Sequence, residues 1–318
     1  MGTQPAGATH FKKIPRQAPL FEGLFIKGDG TIFKERLLHL IHCQLTNHSI
    51  RHLLASDPDL SRLYSIPFSA LQSSLRLNHS SMKQFSELFY TIDTQKLLSL
   101  YHSGNIAVIT YRDPEYPEQL KEIYDPPLVL FAMGDITLLK RPSLAVVGAR
   151  KADDYARRSI LLLLPPLLEK GIAIISGLAK GTDSIAHRQT IMMGGKTIGV
   201  LGGGFYHLYP PENKALAEEM KKNHLLLSEY PPIWKPKKWF FPMRNRIISG
   251  LAKGTVIIQA KIKSGSLITA DLALEEGREV FAVPGPIDNP LSEGANRLIK
   301  QGAKLVSSGE DILEELLL

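Results

Sequence analysis

Short apolar segments alternate with helix-length amphipathic segments in a regular order from residue 143 to the end of the chain. Strands are predicted at 144–147, 172–175, 197–201, 225–227, 256–258, 280–283 and 304–306, and helices at 153–170, 183–193, 213–222, 244–252, 266–276, 293–300 and 310–316. Alternation of this kind favours parallel strands joined by right-handed crossovers. The strands are continuously apolar, which is typical of a sheet covered by helices on both faces. The sequence therefore predicts an α/β fold with an extended, Rossmann-like, doubly wound and mostly parallel sheet.

The chain before this alternation has a different character, and we divide it into three parts. Residues 1–30 are rich in Gly, Pro, Thr and Gln, and we interpret them as a flexible tail or an expression remnant. Residues 31–102 alternate leucine-rich stretches of helical spacing with polar breaks, which predicts a small helical domain. Residues 103–142 contain two short strand segments and several prolines. We interpret them as the lead-in to a Rossmann-like domain that spans 103–318.

The cysteine count, the apolar stretches and the net charge limit where this protein can be located and what it can bind. Cys43 is the only cysteine, so neither an internal disulfide nor a zinc site of several cysteines can form, and a cytoplasmic location is expected. No stretch approaches the roughly 20 apolar residues of a membrane helix, and the N-terminal segment lacks a secretory signal, so no membrane insertion is expected. The formal net charge of +7 favours a polyanionic partner, chiefly nucleic acid or an anionic membrane surface.

Small residues follow three of the predicted strands, at the edge of the sheet where open α/β folds bind ligands. Glycine allows backbone N–H groups to approach a phosphate closely, and the adjacent helix dipole favours its negative charge. Each glycine alone is equally consistent with a tight turn between strand and helix. Together they predict an anion pocket formed by Gly148, Arg150, Ser176, Gly177, Lys180, Gly181, Gly202 and Gly204.

Two further turns have simpler interpretations. Ser264, Gly265 and Ser266 precede a predicted helix, where either serine can act as the N-cap and the turn can also line an anion pocket. The heptapeptide Ser-Gly-Leu-Ala-Lys-Gly-Thr occurs at 176–182 and again at 249–255. Because the second copy closes a predicted helix, we expect one of its two glycines, Gly250 or Gly254, to end that helix.

The segment 234–246 interleaves cationic and aromatic side chains and contains no acidic residue. Cations can follow a nucleic-acid backbone while aromatic rings stack on bases, each base contributing about 1–3 kcal/mol. The alternative assigns Phe240 and Phe241 to the core and the lysines to a solvated face, and for Phe240 alone we favour the core. For the cluster as a whole we favour nucleic-acid contact, through Trp234, Lys235, Lys237, Lys238, Trp239, Phe241, Arg244 and Arg246.

The sequence offers no convincing catalytic set. Neither a P-loop nor, from residue 144 on, a Gly-x-Gly-x-x-Gly followed by an acidic residue occurs, so no cofactor is expected. Asp183 and His187 lie four residues apart on one helix and could act as an acid–base pair, but helix-dipole and packing roles are more common for such residues. We therefore predict no catalytic residue and no metal ligand.

These motifs together resemble the DprA (Smf) family of DNA-processing proteins. The helical segment before them resembles the family's sterile-alpha-motif-like domain. The resemblance implies a non-catalytic protein that binds incoming single-stranded DNA during natural transformation, loads the RecA recombinase onto it and overcomes single-strand-binding protein. It also implies a homodimer joined through the Rossmann domain. The matching stretches are Val146–Arg150, Ile175–His187, Thr197–Asn213, Leu227–Pro231, Phe241–Leu251, Ser264–Ala270, Val280–Gly285 and Gly294–Ala303.

The family's DNA contacts carry over most directly to Arg150, which stands in a Gly-x-Arg turn. Two positions depart from residues that are frequent in the family: Tyr206 replaces Asp, and Gln259 replaces Glu. Both departures remove negative charge near the predicted pocket. Further candidates implied by the resemblance are Lys180, Lys214, Lys238, Phe241, Arg244 and Arg246.

Two other functions stay open at this point. Nucleotide-processing enzymes of the lysine-decarboxylase-like Rossmann group, such as nucleoside-monophosphate phosphoribohydrolases, resemble this domain but carry Pro-Gly-Gly-x-Gly-Thr and a nearby glutamate. Residues 201–205 read Leu-Gly-Gly-Gly-Phe, which lacks that pattern. The other candidate is an interaction scaffold that recruits the recombinase and barely touches DNA.

Overall fold

The computed structural model describes residues 30–65, 75 and 77–316. Apart from Gly30, the segment that we interpret as a tail lies outside the described residues. Side-chain caps begin three of the first helices: Thr46, Asn78 and Asp93 each accept a hydrogen bond from a first-turn backbone N–H. Before the sheet, the described ranges 30–65 and 77–103 contain the α-helices α1 (Gly30–His42), α2 (Asn47–Ser56), α3 (His79–Thr91) and α4 (Thr94–Ser103).

The described residues form one nine-stranded sheet of order β1-β2-β6-β5-β4-β3-β7-β8-β9. Strands β3 to β9 pair in parallel, whereas β1 and β2 add an antiparallel edge next to β6. The predicted doubly wound, mostly parallel sheet is therefore confirmed. The strands are β1 (Ala107–Thr110), β2 (Val129–Gly134), β3 (Ser143–Val147), β4 (Ala173–Ser176), β5 (Thr197–Leu201), β6 (Leu225–Ser228), β7 (Gly254–Ile257), β8 (Glu279–Ala282) and β9 (Lys304–Leu305).

Helices cover both faces of this sheet. Along β3, Leu144 and Val146 join the apolar cluster that contains residues of α6 and α12, whereas Ala145 and Val147 join the cluster that reaches the N-terminal helices. Successive residues thus enter opposite layers, which explains why the strands are continuously apolar in sequence. The helices are α5 (Glu118–Lys121), α6 (Asp154–Glu169), α7 (Thr182–Met192), α8 (Lys214–Asn223), α9 (Phe240–Leu251), α10 (Gly265–Glu275), α11 (Glu293–Lys300) and α12 (Gly309–Leu316).

Helix α9 differs from its prediction at both ends. It begins at Phe240 rather than at 244, because Pro242 lies in the first turn, where its missing N–H has no helical partner to lose. The prediction that Gly250 or Gly254 ends this helix is wrong, since the C-cap is Ala252. A Cβ on Gly250 would lie 2.7 Å from Ile123 Cγ2, and one on Gly254 would lie 2.7 Å from the Phe281 ring. Both glycines permit close packing.

The strand order places the topological switch point between β3 and β7. The chain runs outward from β3 through β4 and β5 to β6, and then returns to β7 on the other side of β3. Ligands of open α/β sheets bind outside the carboxyl ends of the strands at this point. The turns after β3 and β7, which contain Arg150 and Gln259, therefore flank the crevice of this sheet.

Candidate nucleic-acid interface

The turn after β3 presents Arg150 to solvent at the switch point. Gly148 is required by packing, because a Cβ there would lie 2.5 Å from Thr182 Oγ1. The Thr182 backbone N–H also donates to Ala149 O at 3.1 Å, which ties this turn to the start of α7. Arg150 itself is exposed, and its guanidinium forms no ion pair with any residue in the part of the chain that the structure describes. The turn thus holds a cation at the edge of the crevice.

The turn after β4 is filled by the protein's own charged groups. The backbone N–H groups of Gly177 and Ala179 both donate to Asp183 Oδ2, at 3.1 and 3.3 Å. The Arg244 guanidinium lies over Gly177, where a Cβ would overlap it. Burial raises the pKa of Asp183, while Arg244 and the two N–H groups act in the opposite direction. The amide of Gly177 therefore binds an internal carboxylate rather than a phosphate, which corrects the prediction for this residue.

Two more residues of the predicted anion pocket have structural roles in the same turn. Ser176 is fully buried, and its hydroxyl donates to Val146 O at 2.6 Å. Gly181 adopts a φ of 74°, a conformation that favours glycine, and it packs against the backbone carbonyls of Ala149 and Arg150. Lys180, by contrast, is exposed at this edge and forms an ion pair with Glu212.

The predicted DNA contact through Arg244 is not compatible with its position. Its side chain is buried, with only 5% exposed, and Nη1 donates to Val200 O at 2.8 Å. Burial lowers the pKa of this guanidinium, and the nearby Asp183 carboxylate counteracts the effect. Arg244 thus links α9 to the carboxyl ends of β4 and β5, and it lies close enough to Arg150 for the two cations to repel each other.

The position of Arg246 also argues against the predicted DNA contact. It is buried and pairs with Glu229 at 2.5 Å and with Asp125 at 3.3 Å. From α2, Arg51 pairs with Asp125 at 2.9 Å and Asn47 donates to Glu229 at 2.6 Å. This network, in which Arg246 and Glu229 are buried, joins the N-terminal helices, the lead-in segment and α9.

The glycine turn after β5 is covered by the segment that leads into α9. A Cβ on Gly202 would lie 2.7 Å from the Phe241 ring, and one on Gly203 would lie 3.0 Å from Pro236. Gly204 packs against the backbone carbonyls of Pro231 and Pro232. These glycines let the aromatic segment lie close to the strand ends. Phe241 remains partly exposed there.

Several cations and aromatic rings are exposed along the carboxyl edge of the sheet. Lys237 Nζ lies 5.3 Å from the centre of the Trp239 ring, and 62% of Trp239 is exposed. Phe240 is buried and stacks on Tyr230 with ring centres 3.7 Å apart, so it belongs to the core. We name the exposed set the rim; it comprises Arg150, Lys180, Lys214, Lys235, Lys237, Lys238 and Trp239, together with the partly exposed Trp234 and Phe241.

The turn before α10 lies beside the same helix α9. The Ser264 hydroxyl accepts from the Ser266 backbone N–H at 3.3 Å and caps α10, as the sequence suggests for one of the two serines. Asn245 Nδ2 donates to Gly265 O at 3.4 Å, which connects the turn to α9. Gly265 is exposed, and a Cβ there would meet open space.

Sequence reasoning missed Lys261 and Lys263, which extend the rim. Both are exposed and follow β7, whose residue Ile257 pairs with Val147 at the end of β3. The loop that contains them and the turn that contains Arg150 thus follow neighbouring strands at the switch point. The sequence does place both lysines directly after a predicted strand. It does not show that this strand, β7, lies next to β3, so their proximity to the Arg150 turn could not be predicted.

A family model for DNA recombination-mediator protein A matches residues 107–317. The chain belongs to this family. The predicted resemblance to DprA (Smf) proteins is thereby confirmed. The DNA processing protein DprA of Bacillus subtilis is 47% identical over 262 residues, which are 82% of this chain and 87% of the relative. The DprA protein of Streptococcus pneumoniae is 46% identical over 231 residues, 73% of this chain and 81% of the relative.

Two solved DprA structures match the fold of this family member. The Streptococcus pneumoniae structure superposes with a TM-score of 0.79 at 39% identity, covering 89% of this chain and 97% of that protein. The Helicobacter pylori structure superposes with a TM-score of 0.60 at 30% identity, covering 67% of this chain and 95% of that protein. The Helicobacter pylori protein is described as having a single-stranded DNA binding mode.

The candidate acid–base pair of this DprA-family chain has structural roles. Thr197 donates its hydroxyl proton to Ile174 O at 2.7 Å, so its oxygen accepts from His187 Nδ1 at 2.6 Å. Burial lowers the pKa of His187 to about 3. Asp183 accepts hydrogen bonds from the turn after β4, and both side chains are buried. Within the described ranges, the structure has no cluster of His, Cys, Asp and Glu side chains suited to a metal ion, and no helix with the length and apolar character to cross a bilayer.

Proposed function

We propose that this protein binds single-stranded DNA along the rim without sequence preference. The observation that carries the proposal is the exposed set of cations and aromatic rings at the carboxyl edge of the sheet, centred on Arg150 at the switch point. Lysines and arginines attract the phosphates, whereas Trp239 and Phe241 offer surfaces on which bases of any type can stack. The related Helicobacter pylori protein, described as binding single strands, supports the same assignment.

The span of the rim suits a flexible strand. Neighbouring β-strands lie about 4.8 Å apart, so the ends of β7, β3, β4 and β5 cover roughly 14 Å. Cations stand after β7, β3 and β4, and the aromatic segment covers the end of β5. A single strand can bend along such a line and turn its bases toward the rings. A duplex keeps its bases stacked inside and would use only the cations.

We further propose a role for the bound strand in recombination. The bound strand would be passed to the RecA recombinase during natural transformation, in competition with single-strand-binding protein, in the cytoplasm. Family membership supports this step.

We also propose a homodimer joined through the Rossmann-like domain. The exposed edge strand β9, on which 52% of Leu305 is exposed, supports that mode because an open strand edge can pair with a second copy.

We infer that the protein does no chemistry on the DNA. Asp183 and His187 are buried in structural hydrogen bonds, and the glycine turn of 201–205 lies under Phe241 and Pro236. The competing phosphoribohydrolase function requires that turn to receive a nucleotide. Incubation with nucleoside monophosphates is expected to release no free base, and measurable release would restore the enzymatic alternative.

The binding step is tested by comparing a single strand with a duplex of the same sequence at one salt concentration. We expect tighter binding to the single strand than to the duplex. If the protein binds the single strand no more tightly than the duplex, the proposal is contradicted.

Loading is tested by adding the protein to DNA coated with single-strand-binding protein and following RecA filament formation. We expect faster nucleation with the protein than without it. Loading that persists when DNA binding is abolished would favour the scaffold alternative.

A further inference from the structure

A groove lies next to the rim, on the side away from the switch point. Its cavity volume is about 210 Å³, and the groove is open to solvent. Its walls come from the segment after β5 and from α8, and they include Phe205, Tyr206, Leu208, Lys214, Ala217 and Lys221. Apolar and polar groups contribute nearly equally to the lining, and Glu218 lies there beside the cations Lys214 and Lys221.

An aromatic surface connects the rim to this groove. The rings of Phe241 and Tyr209 lie 5.7 Å apart in an edge-to-face arrangement. Tyr209 is 55% exposed, and three residues earlier Tyr206 is 53% exposed and lines the groove. His207 and Leu208 between them line both the groove and the shallow depression beside Phe241. These residues form a continuous surface between Phe241 and the groove.

The charge around the groove suits the backbone of such a strand. Lys214 begins α8 and is exposed at the groove, and Lys221 lines it two turns further along the helix. Lys221 pairs with Glu218 at 2.7 Å, so we assign the phosphate contact to Lys214, which also belongs to the rim. A phosphate near Lys214 would place the attached base over the apolar floor at Ala217 and Leu226.

From this geometry we infer that the groove is a nucleobase site, in which one base of the bound single strand leaves the rim and stacks on Tyr206. The inference rests on the proposed function, because it assigns a second subsite to the same DNA strand. A planar, uncharged base can stack on the Tyr206 ring, whereas the Glu218 carboxylate of the lining would repel a phosphate inside the groove. The subsite would also favour single strands over duplex, since a paired base cannot turn into it.

The test fills the groove without altering the rim. Ala217 is 1% exposed and lines the groove floor, so Ala217→Leu extends a side chain into the empty space. Ala215 lies on the same helix but is exposed, and Ala215→Leu is the matched control. Affinity is measured for oligothymidylate and for an abasic oligomer of equal length, over a range of salt concentrations, with thermal unfolding to verify the fold.

We expect Ala217→Leu to weaken oligothymidylate binding about 5-fold to 150-fold, the range that corresponds to one stacked base. The affinity of Ala217→Leu for the abasic oligomer, and the salt dependence of its binding, should equal those of the unaltered protein. Ala215→Leu should change the affinity for neither oligomer. If Ala217→Leu does not fold, Tyr206→Ala replaces it, with Tyr124→Ala, an exposed tyrosine outside the groove, as its control.

Two results would overturn the inference. One is unchanged oligothymidylate affinity in the folded groove variant, and the other is an equal reduction on the abasic oligomer, which would assign the effect to phosphate contacts. Both differ from failure of the proposed function, in which the unaltered protein would bind neither oligomer.

Discussion

The guanidinium of Arg244 occupies the space that a Cβ on Gly177 would fill. Arg244 also donates to Val200 O, so a single side chain fixes α9 against the ends of β4 and β5. The rim residues Trp239, Phe241 and Lys238 lie on or just before the first turn of α9. The position of the aromatic surface therefore depends on a buried arginine that does not itself reach the solvent.

The contact between these residues predicts a large cost for Gly177→Ala. The added methyl group overlaps the guanidinium, and we expect the free energy of unfolding to fall by about 1–3 kcal/mol or more, as for overpacked sites. Gly265→Ala is the control, because a Cβ there meets open space and reduces the entropy of the unfolded chain. Urea unfolding of both variants measures the difference. Equal stabilities of the two variants would show that Arg244 can move aside without penalty.

Replacement of Arg246 should destabilise the fold rather than weaken DNA contacts. Arg246→Met leaves Glu229 buried without its strongest partner, and removal of one member of a buried pair costs about 3–5 kcal/mol. The double variant Arg246→Met with Glu229→Gln should recover part of that stability, because it removes the unpaired charge. Denaturant unfolding checks both values. A single variant that is destabilised by less than about 1 kcal/mol would contradict the buried-network account.

His187 predicts reduced stability in acid. Its pKa is lowered to about 3 in the fold, below its ordinary value of 6.5, so the unfolded chain binds the extra proton. Between these values stability falls as pH falls, by about 1.4 kcal/mol per pH unit from this group. His187→Gln should flatten the pH dependence of unfolding below pH 6.5 by that amount. A parallel profile for the variant and the unaltered protein would exclude this role for His187.

The ion pair of Lys180 with Glu212 predicts that removing the carboxylate strengthens DNA binding. Glu212 is the acidic partner of an exposed rim lysine, and both side chains are more than half exposed. Glu212→Gln leaves Lys180 to interact with phosphates, so single-strand affinity at low salt should rise about two- to fivefold. The gain should disappear at high salt. Weaker binding by Glu212→Gln would instead indicate that Lys180 needs this partner to hold its position.

The sheet could be predicted from the sequence because its determinants are local. From β3 onward the strand segments are mostly apolar, a helix follows each of them, and this alternation has few stable topologies. Within the helical part, Thr46 and Asp93 are equally local signals, since each caps the helix that follows it. The predicted start of α9 is wrong because the proline- and lysine-rich segment before it favours a loop, although Pro242 is tolerated in a first helical turn.

The assignments of the glycines and arginines needed the tertiary structure. A glycine after a strand suits a phosphate and a close side-chain contact equally well, and only the position of Arg244 distinguishes the two at Gly177. Arg244 and Arg246 stand in a basic run that suggests solvent exposure. Their partners, among them the buried Asp183 and the partly exposed Asp125, lie far from them in the chain. Lys261 and Lys263 were missed because their proximity to the end of β3 depends on the strand order.

A salt titration of single-strand binding, with Arg150→Ala beside Arg141→Ala, tests the central claim most directly. Arg150 follows β3 at the rim, whereas Arg141 is exposed just before β3 at the opposite edge of the sheet. Arg150→Ala should weaken binding about tenfold and reduce the slope of log affinity against log salt by about 0.7 for each phosphate that the variant no longer neutralises. Arg141→Ala should leave both unchanged. Equal effects of the two substitutions would contradict a DNA site at the carboxyl edge of the sheet.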